Sequence, residues 1–395
     1  MAAQSSKSRP QCLLRQYNYK RLTMNNPVSG GCGRRARCRT CFSLLASAVA
    51  LAVGLSPVLC AWADPVADTD ARAAVMAEAP TRGVLQAVER AGKRLVAVGE
   101  RGLILLSDDN GVNWRQARVP VSVGITAVHF PTPLQGWAVG HFGTVLHTDD
   151  GGETWHAQLT GAQAAGHVLA EAQALPANAE PSLAALAHAK QMVAEGPDKP
   201  FLSVFFGDVH NGLVVGAFGL ILRTTDGGKT WRSLSAQLDN PGARHLYTIA
   251  SGGGSLYIAG EEGRVYRSDD QGSSFLRLRT PYQGSYFTVA ANDSGVVVAG
   301  LRGNVLRSSD RGETWTSLTL LNSSSIVASV FGNDGKLLLL NQAGQLLQGG
   351  NSLGPLHAVN TSPLPAPTGL ALADSGELLI SSLQGIVHLN LPSHN

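Results

Sequence analysis

Two patterns of apolar and polar residues divide the chain. From about residue 81, short apolar runs rich in Val, Ile, Leu and aromatics alternate with turns built from Gly, Asp and Pro. The run Ile125-Thr126-Ala127-Val128-His129-Phe130 leads into a Pro-rich turn and then Gly136-Trp137-Ala138-Val139. A Gly-x-x-Gly turn follows, then Thr144-Val145-Leu146-His147, an Asp-rich turn, and a last run opening at Trp155. Short β-type runs punctuated this way predict four-stranded antiparallel units. Residues Gly161–Leu175 and Ser182–Glu195 differ: they are Ala-rich, with Val168, Leu169, Leu183, Leu186 and Val193 near helical spacing. They predict a helical hairpin broken at Pro176–Pro181, with Ser182 as the N-cap of its second helix.

The strand pattern repeats, and a repeat governs any reading of fold. Ser107-Asp108-Asp109-Asn110-Gly111-Val112-Asn113-Trp114 recurs at Thr148–Trp155, Thr224–Trp231, Ser268–Phe275 and Ser308–Trp315. The shared pattern, [Ser/Thr]-x-Asp-x-Gly-x-[Thr/Ser/Asn]-[Trp/Phe], resembles the Asp box of bacterial neuraminidase repeats. Its positions are Asp109, Gly111 and Trp114; Asp150, Gly152 and Trp155; Asp226, Gly228 and Trp231; Asp270, Gly272 and Phe275; and Asp310, Gly312 and Trp315. A Gly-x-x-Gly turn precedes each box, starting at Gly99, Gly140, Gly216, Gly260 and Gly300, with degenerate copies at Asn341 and Ser382. Successive starts lie 41, 76, 44, 40, 41 and 41 residues apart, so the outlier is one period plus an insert. Seven units of about 39 residues predict an all-β, seven-bladed β-propeller of four-stranded antiparallel blades, with the helical hairpin inserted between blades two and three. The expected organisation is a signal peptide over 1–63, a linker or closing strand over 64–80, blades 1–2 over 81–157, the helical insert over 158–200 and blades 3–7 over 201–395. The last blade shows only three strand-like runs, so a segment around Ala74–Met76 is expected to supply its outer strand.

Charge and cysteine placement add a location. Residues 1–63 hold nine basic residues, no acidic one and all five cysteines; the remainder carries 22 basic and 28 acidic groups. Arg34, Arg35, Arg37 and Arg39 precede an apolar run from Phe42 to Leu59, and Ala61-Trp62-Ala63 fits cleavage before Asp64. The chain is expected to be periplasmic or secreted after cleavage, or else held by this run in the inner membrane facing the periplasm. Met24 is an alternative start. An acidic, thiol-free mature chain excludes disulfides, a Cys nucleophile and electrostatic capture of nucleic acid.

Candidate chemistry is sparse. The consecutive aspartates of the boxes are turn residues, whereas glycoside hydrolysis needs two groups facing each other across a substrate. His141 and His147 are six residues apart on extended chain, about 20 Å, too far to share a metal. No nucleophile elbow or phosphate loop appears, and no catalytic residue, metal or cofactor is expected. Partner binding is expected instead, on either of two faces. Arg101, His141, Phe142, Phe218 and Arg302 sit in Gly-x-x-Gly turns; the two Phe either meet a partner or pack beneath the insert. Arg223, Arg267 and Arg307 precede successive boxes; they either grip an acidic partner or pair with neighbouring box aspartates.

The repeat pattern over residues 81–391 resembles the photosystem II stability/assembly factor family, in its non-photosynthetic bacterial branch. The resemblance implies a non-enzymatic scaffold or assembly factor for an envelope membrane complex, a resistance-nodulation-division transporter among the possible clients, with peripheral membrane association. The helical insert departs from the photosynthetic pattern. A glycan-binding or sialidase-like propeller is the alternative, and a secreted adhesion module a third reading.

Overall fold

In the computed structural model, the described residues are 68–389 apart from 178, 319, 321–322, 333, 352–354, 363 and 374–375. The expected signal peptide, its cysteines and Met24 lie outside them. Among the described residues, seven antiparallel sheets follow one another, six of four strands and one of three. Blade one comprises Leu85–Ala91, Arg94–Gly99, Ile104–Ser107 and Arg115–Gln116, numbered here from the axis outward. The first strands of the other blades are Ile125–His129, Phe201–Phe206, Leu246–Gly252, Tyr286–Asn292, Ile326–Phe331 and Pro367–Leu372. Each packs beside the next, and the last packs beside the first, closing a ring. The chain is a seven-bladed β-propeller.

The two glycines of each Gly-x-x-Gly turn serve different purposes. A Cβ on Gly99 would lie 2.0 Å from the Val84 carbonyl oxygen, and Gly140, Gly216, Gly260 and Gly300 face their own first strands equally closely. The first glycine therefore permits a close approach of two backbones. The second, such as Gly102 at φ 76°, adopts the left-handed conformation that an L side chain resists.

Box aromatics seal the joints between blades. Trp155 packs with blade one residues Val96 and Ile104 and meets Phe130 edge-on at 5.9 Å. Trp231 joins Phe206, which stacks on Trp137 of blade two at 3.6 Å. Trp114 packs in the cluster shared with blade seven, Phe275 in that of blades three and four, and Trp315 in that of blades four and five. Burying one such side chain contributes roughly 4–6 kcal/mol gross.

The expected closing strand is not formed. Ala74 donates its N–H to Val119 O at 3.0 Å, and Ser122 donates to Thr69 O at 2.7 Å. Residues 69–77 thus lie along the connection from blade one to blade two, with Val75 and Met76 exposed. Closure comes from packing: Leu85, Val88 and Leu105 share a cluster with Ala371, Ala373 and Leu379. The Thr368 hydroxyl donates to Leu85 O at 2.7 Å, the same latch that Thr126 makes on Phe201 O between blades two and three.

The insert is a helical hairpin, α1 (Gly161–Ala174) and α2 (Glu180–Glu195). A reciprocal capping box between Thr160 and Gln163 starts α1. The second helix begins two residues before Ser182, because Pro181 tolerates the first turn, where its missing N–H has no partner to lose. Val168, Ala172, Ala189 and Met192 bury against Phe201, Leu220 and Trp231. No helix among the described residues is long and apolar enough to cross a membrane.

Candidate functional site

The boxes are closed systems. In blade three the Thr224 hydroxyl donates to Asp226 Oδ1 at 2.8 Å and accepts from Gly228 N–H at 2.9 Å. Asp226 also accepts from Thr230 N–H at 2.9 Å and from the Thr230 hydroxyl at 2.6 Å. The same bonds recur around Asp150, Asp270 and Asp310, and around Asp109 with the Asn113 side-chain amide in place of the hydroxyl. The donors at position 230, hydroxyl first, hold the Asp226 pKa down to about 2. Asp310 is likewise lowered, chiefly by the Ser308 and Thr314 hydroxyls. A carboxylate so engaged is a turn brace and is unsuited to act as an acid or base near neutral pH. No group of three or more metal-ligating side chains occurs among the described residues.

Side chains stitch four of the five boxes to the blade before them. The carbonyl between box Asp and Gly is the acceptor: Arg94 reaches Gly151 O at 2.9 Å and Gln158 reaches Gly227 O at 3.0 Å. Arg223 reaches Gln271 O at 3.4 Å, and Arg267 reaches Arg311 O at 2.8 Å. Arg267 also pairs with Glu313 and Asp269, and its side chain is only 11% exposed. Arg223 and Arg267 are therefore engaged as fasteners between blades. Arg307 makes no such link among the described residues: Ser309 stands where Asp269 stands in blade four, and blade six has no Asp box.

The opposite face carries the Gly-x-x-Gly turns, the blade-to-blade connections and the hairpin. Arg101, Phe142, Phe218, Glu262 and Arg302 occupy one turn position in five successive blades, all at φ between 49° and 57°. Non-glycine residues in that region are uncommon and cost about 1–3 kcal/mol each. The structure separates the two phenylalanines. Phe142 is partly buried against the core of blades one and two. Phe218 is 42% exposed; Lys199 Nζ lies 5.8 Å from its ring centroid, and α2 contributes His188, whose Nε2 donates to Phe218 O at 3.1 Å. Arg101, His141 and Arg302 are exposed. His245 Nδ1 accepts from Phe218 N–H at 2.8 Å, so that nitrogen carries no proton and its 3.9 Å approach to Glu261 is no ion pair.

Sequence reading missed a site on the first strands. His129 Nδ1 lies 3.0 Å from Glu89 Oε1 of blade one, and Nε2 lies 3.1 Å from Phe206 O of blade three. Both neighbours are acceptors, which calls for the doubly protonated ring. Burial disfavours the charge, but Glu89 and the Phe206 carbonyl outweigh it and hold the pKa above the usual value. The signal was available: residues 89 and 129 are one repeat apart.

Fold and site together define an Asp-box β-propeller whose boxes serve structure and whose side-chain variety sits on the turn face. Residues 184–338 match the family model of the photosynthesis system II assembly factor YCF48, and residues 146–157 that of the BNR/Asp-box repeat; over these residues the chain is similar to photosystem II assembly factor-like propellers. A photosystem II assembly lipoprotein Ycf48 of Synechococcus sp. (strain CC9902) is 26% identical over 165 residues, 41% of this chain and 39% of that protein. The match thus spans about two fifths of the curated relative. Among solved structures, YCF48 bound to D1 peptide aligns at TM-score 0.57 and 16% identity, covering 83% of this chain and 99% of that one. YCF48 from Cyanidioschyzon merolae gives 0.55 and 15%, with 80% and 98% covered. A streptogramin B lyase gives 0.59 and 14%, with 80% and 96% covered. At these identities the structural likeness speaks for the fold alone.

Proposed function

We propose that the chain is a non-enzymatic, exported assembly or auxiliary factor for an envelope membrane complex, and that its turn face holds the partner. The observation that carries this reading is the division of labour between faces. Box carboxylates and two of the three box-face arginines are consumed by turn closure and inter-blade links. Exposed Phe218, Arg101 and Arg302 stand on the turn face in a costly backbone conformation, beside a helical hairpin. A peptide-bound structure of a protein with the same fold supports the reading. A resistance-nodulation-division transporter is one client that fits. Deleting the chain and resolving membrane complexes on native gels tests the proposal: one complex should fail to accumulate and return on complementation. Unchanged complexes, or turnover of a glycoside by the purified chain, would contradict it.

A further inference from the structure

Blade seven differs from the rest of the ring: among the described residues it has three strands where the other six have four. Its third strand, Gly385–Leu389, pairs with the second and leaves its outer edge without a partner strand among those residues. Register fixes which groups that edge offers. Ile386 lies opposite Ser381 as Ile104 lies opposite Val98 in blade one. A Cβ on Gly111 would lie 2.6 Å from the His388 ring, as one on Gly152 would lie 3.1 Å from Leu106, so His388 holds the place of Leu106. In blade one the Ile104 carbonyl accepts from Ala117 N–H at 2.9 Å. Its counterparts Ile221 and Leu346, in blades three and six, accept from Leu234 N–H at 3.0 Å and Val359 N–H at 2.9 Å. The carbonyl of Ile386 and, two residues on, the N–H of His388 therefore face the place of a fourth strand.

Exposure marks the same place. Ile104, Val145, Ile221, Val265, Val305 and Leu346, the counterparts of Ile386 in the complete blades, are 0–1% exposed. Ile386 and Val387 are instead partly exposed, and His388 is exposed. The chain entering blade one passes by: Thr81 O lies 2.0 Å from a Cβ on Gly385, but Thr69 and Ala74 bond to Ser122 and Val119 of the next connection. An unpaired strand edge with apolar side chains is a template for strand addition. The complete blades define what fits it. The donor to the third strand is aliphatic in Ala117, Leu234 and Val359, and each packs in the joint with the following blade. Two residues earlier stands an exposed Arg115, Arg232 or His357, opposite Leu106, Arg223 or Gln348. We infer that the edge of Gly385–Leu389 receives an extended segment of a partner protein, antiparallel to it. An aliphatic residue of that segment donates its N–H to Ile386 O and enters the joint between blades seven and one, and a polar residue two positions earlier lies opposite His388. This surface is on the outer rim of the ring, so it goes beyond the turn-face reading above and does not depend on it.

Fluorescence anisotropy on the purified chain tests this with three labelled octapeptides. One is Thr-Trp-Arg-Ser-Leu-Ser-Ala-Gln, the sequence of residues 230–237, which holds the fourth strand of blade three. The second carries N-methyl-leucine in place of its Leu, which removes the N–H and keeps the side chain; the third carries Asp there. The first should bind, and the other two should bind at least about tenfold more weakly, for want of one hydrogen bond or of an apolar side chain. His388→Pro removes the N–H that faces the unpaired edge, a place where an edge strand tolerates Pro, and should weaken the first peptide about tenfold. Thermal melting checks that variant; if it does not fold, the N-methyl peptide on the wild-type chain decides. No binding of the first peptide, equal binding of the N-methyl peptide, or wild-type affinity in folded His388→Pro would overturn the inference. A chain that dimerises in sedimentation and becomes monomeric in His388→Pro would overturn it too, because a second copy then fills the edge. If the peptides behave as expected while deletion of the chain leaves every membrane complex unchanged, the edge stands and the assembly role fails.

Discussion

Replacing Asp150 by Ala removes the brace of one box and leaves its partners in place. The carboxylate accepts from the Thr148 hydroxyl at 2.8 Å, from Thr154 N–H at 3.0 Å and from the Thr154 hydroxyl at 2.5 Å. A hydrogen bond to a charged group is worth about 1.5–3 kcal/mol, but these donors lie near the surface and regain water when the acceptor goes. An Asp accepting backbone N–H at a helix cap, a comparable arrangement, costs about 0.5–2 kcal/mol on truncation. Adding two hydroxyl bonds and the loosened Arg94–Gly151 link gives about 2–3 kcal/mol for Asp150→Ala. Asn keeps one acceptor and should cost about 1 kcal/mol. Urea unfolding of the purified chain at pH 7 reads both. The pKa of Asp150 is lowered in the fold, the hydroxyl and N–H of Thr154 outweighing the opposing effect of burial. Its contribution is therefore present above the unfolded value near 4 and is lost as pH falls through the folded one. The gap between wild type and Asp150→Ala should shrink below pH 4. Equal stability of wild type and Asp150→Ala at pH 7, or a gap that widens in acid, would refute the bracing role.

Three further outcomes follow from other parts of the ring. His129→Gln should lower stability most near pH 6 and less at pH 9, since a raised histidine pKa gives stability that fades as pH rises through the folded value; a pH series of melts checks this. Gly385→Ala should cost about 3 kcal/mol or more, because φ is 108° and a Cβ would lie 2.0 Å from Thr81 O; limited proteolysis should then cut near the blade seven–blade one joint. Deleting residues 68–78 should lose hydrogen-exchange protection at 117–123 while leaving 385–389 protected, the reverse of what a closing strand would give.

The repeat made the blades legible because each turn needs particular residues: glycine where backbones meet or φ is positive, Asp and hydroxyls where a turn is braced. Blades six and seven were fainter because Asn341 and Ser382 stand in for the first glycine and no box follows. Asn341 fills that place by bonding Gln345 through its own side chain. What a single repeat hides is pairing across periods. Arg267 is expected to grip an acidic partner or to pair with neighbouring box aspartates; it pairs with Asp269 of its own box and also reaches Arg311 O and Glu313 of the next blade. His129 and Glu89 are joined in the same way. The segment at Ala74–Met76 misled because a missing strand fixes no donor; its backbone bonds went to the nearer blade connection.

In-cell photocrosslinking tests the central claim most directly. A photoreactive residue at position 218 or 302, on the turn face, should give adducts with subunits of one envelope membrane complex. The same residue at exposed position 112, in the box of blade one, should give none. Adducts from position 112 alone, or an identical pattern from both faces, would contradict the account.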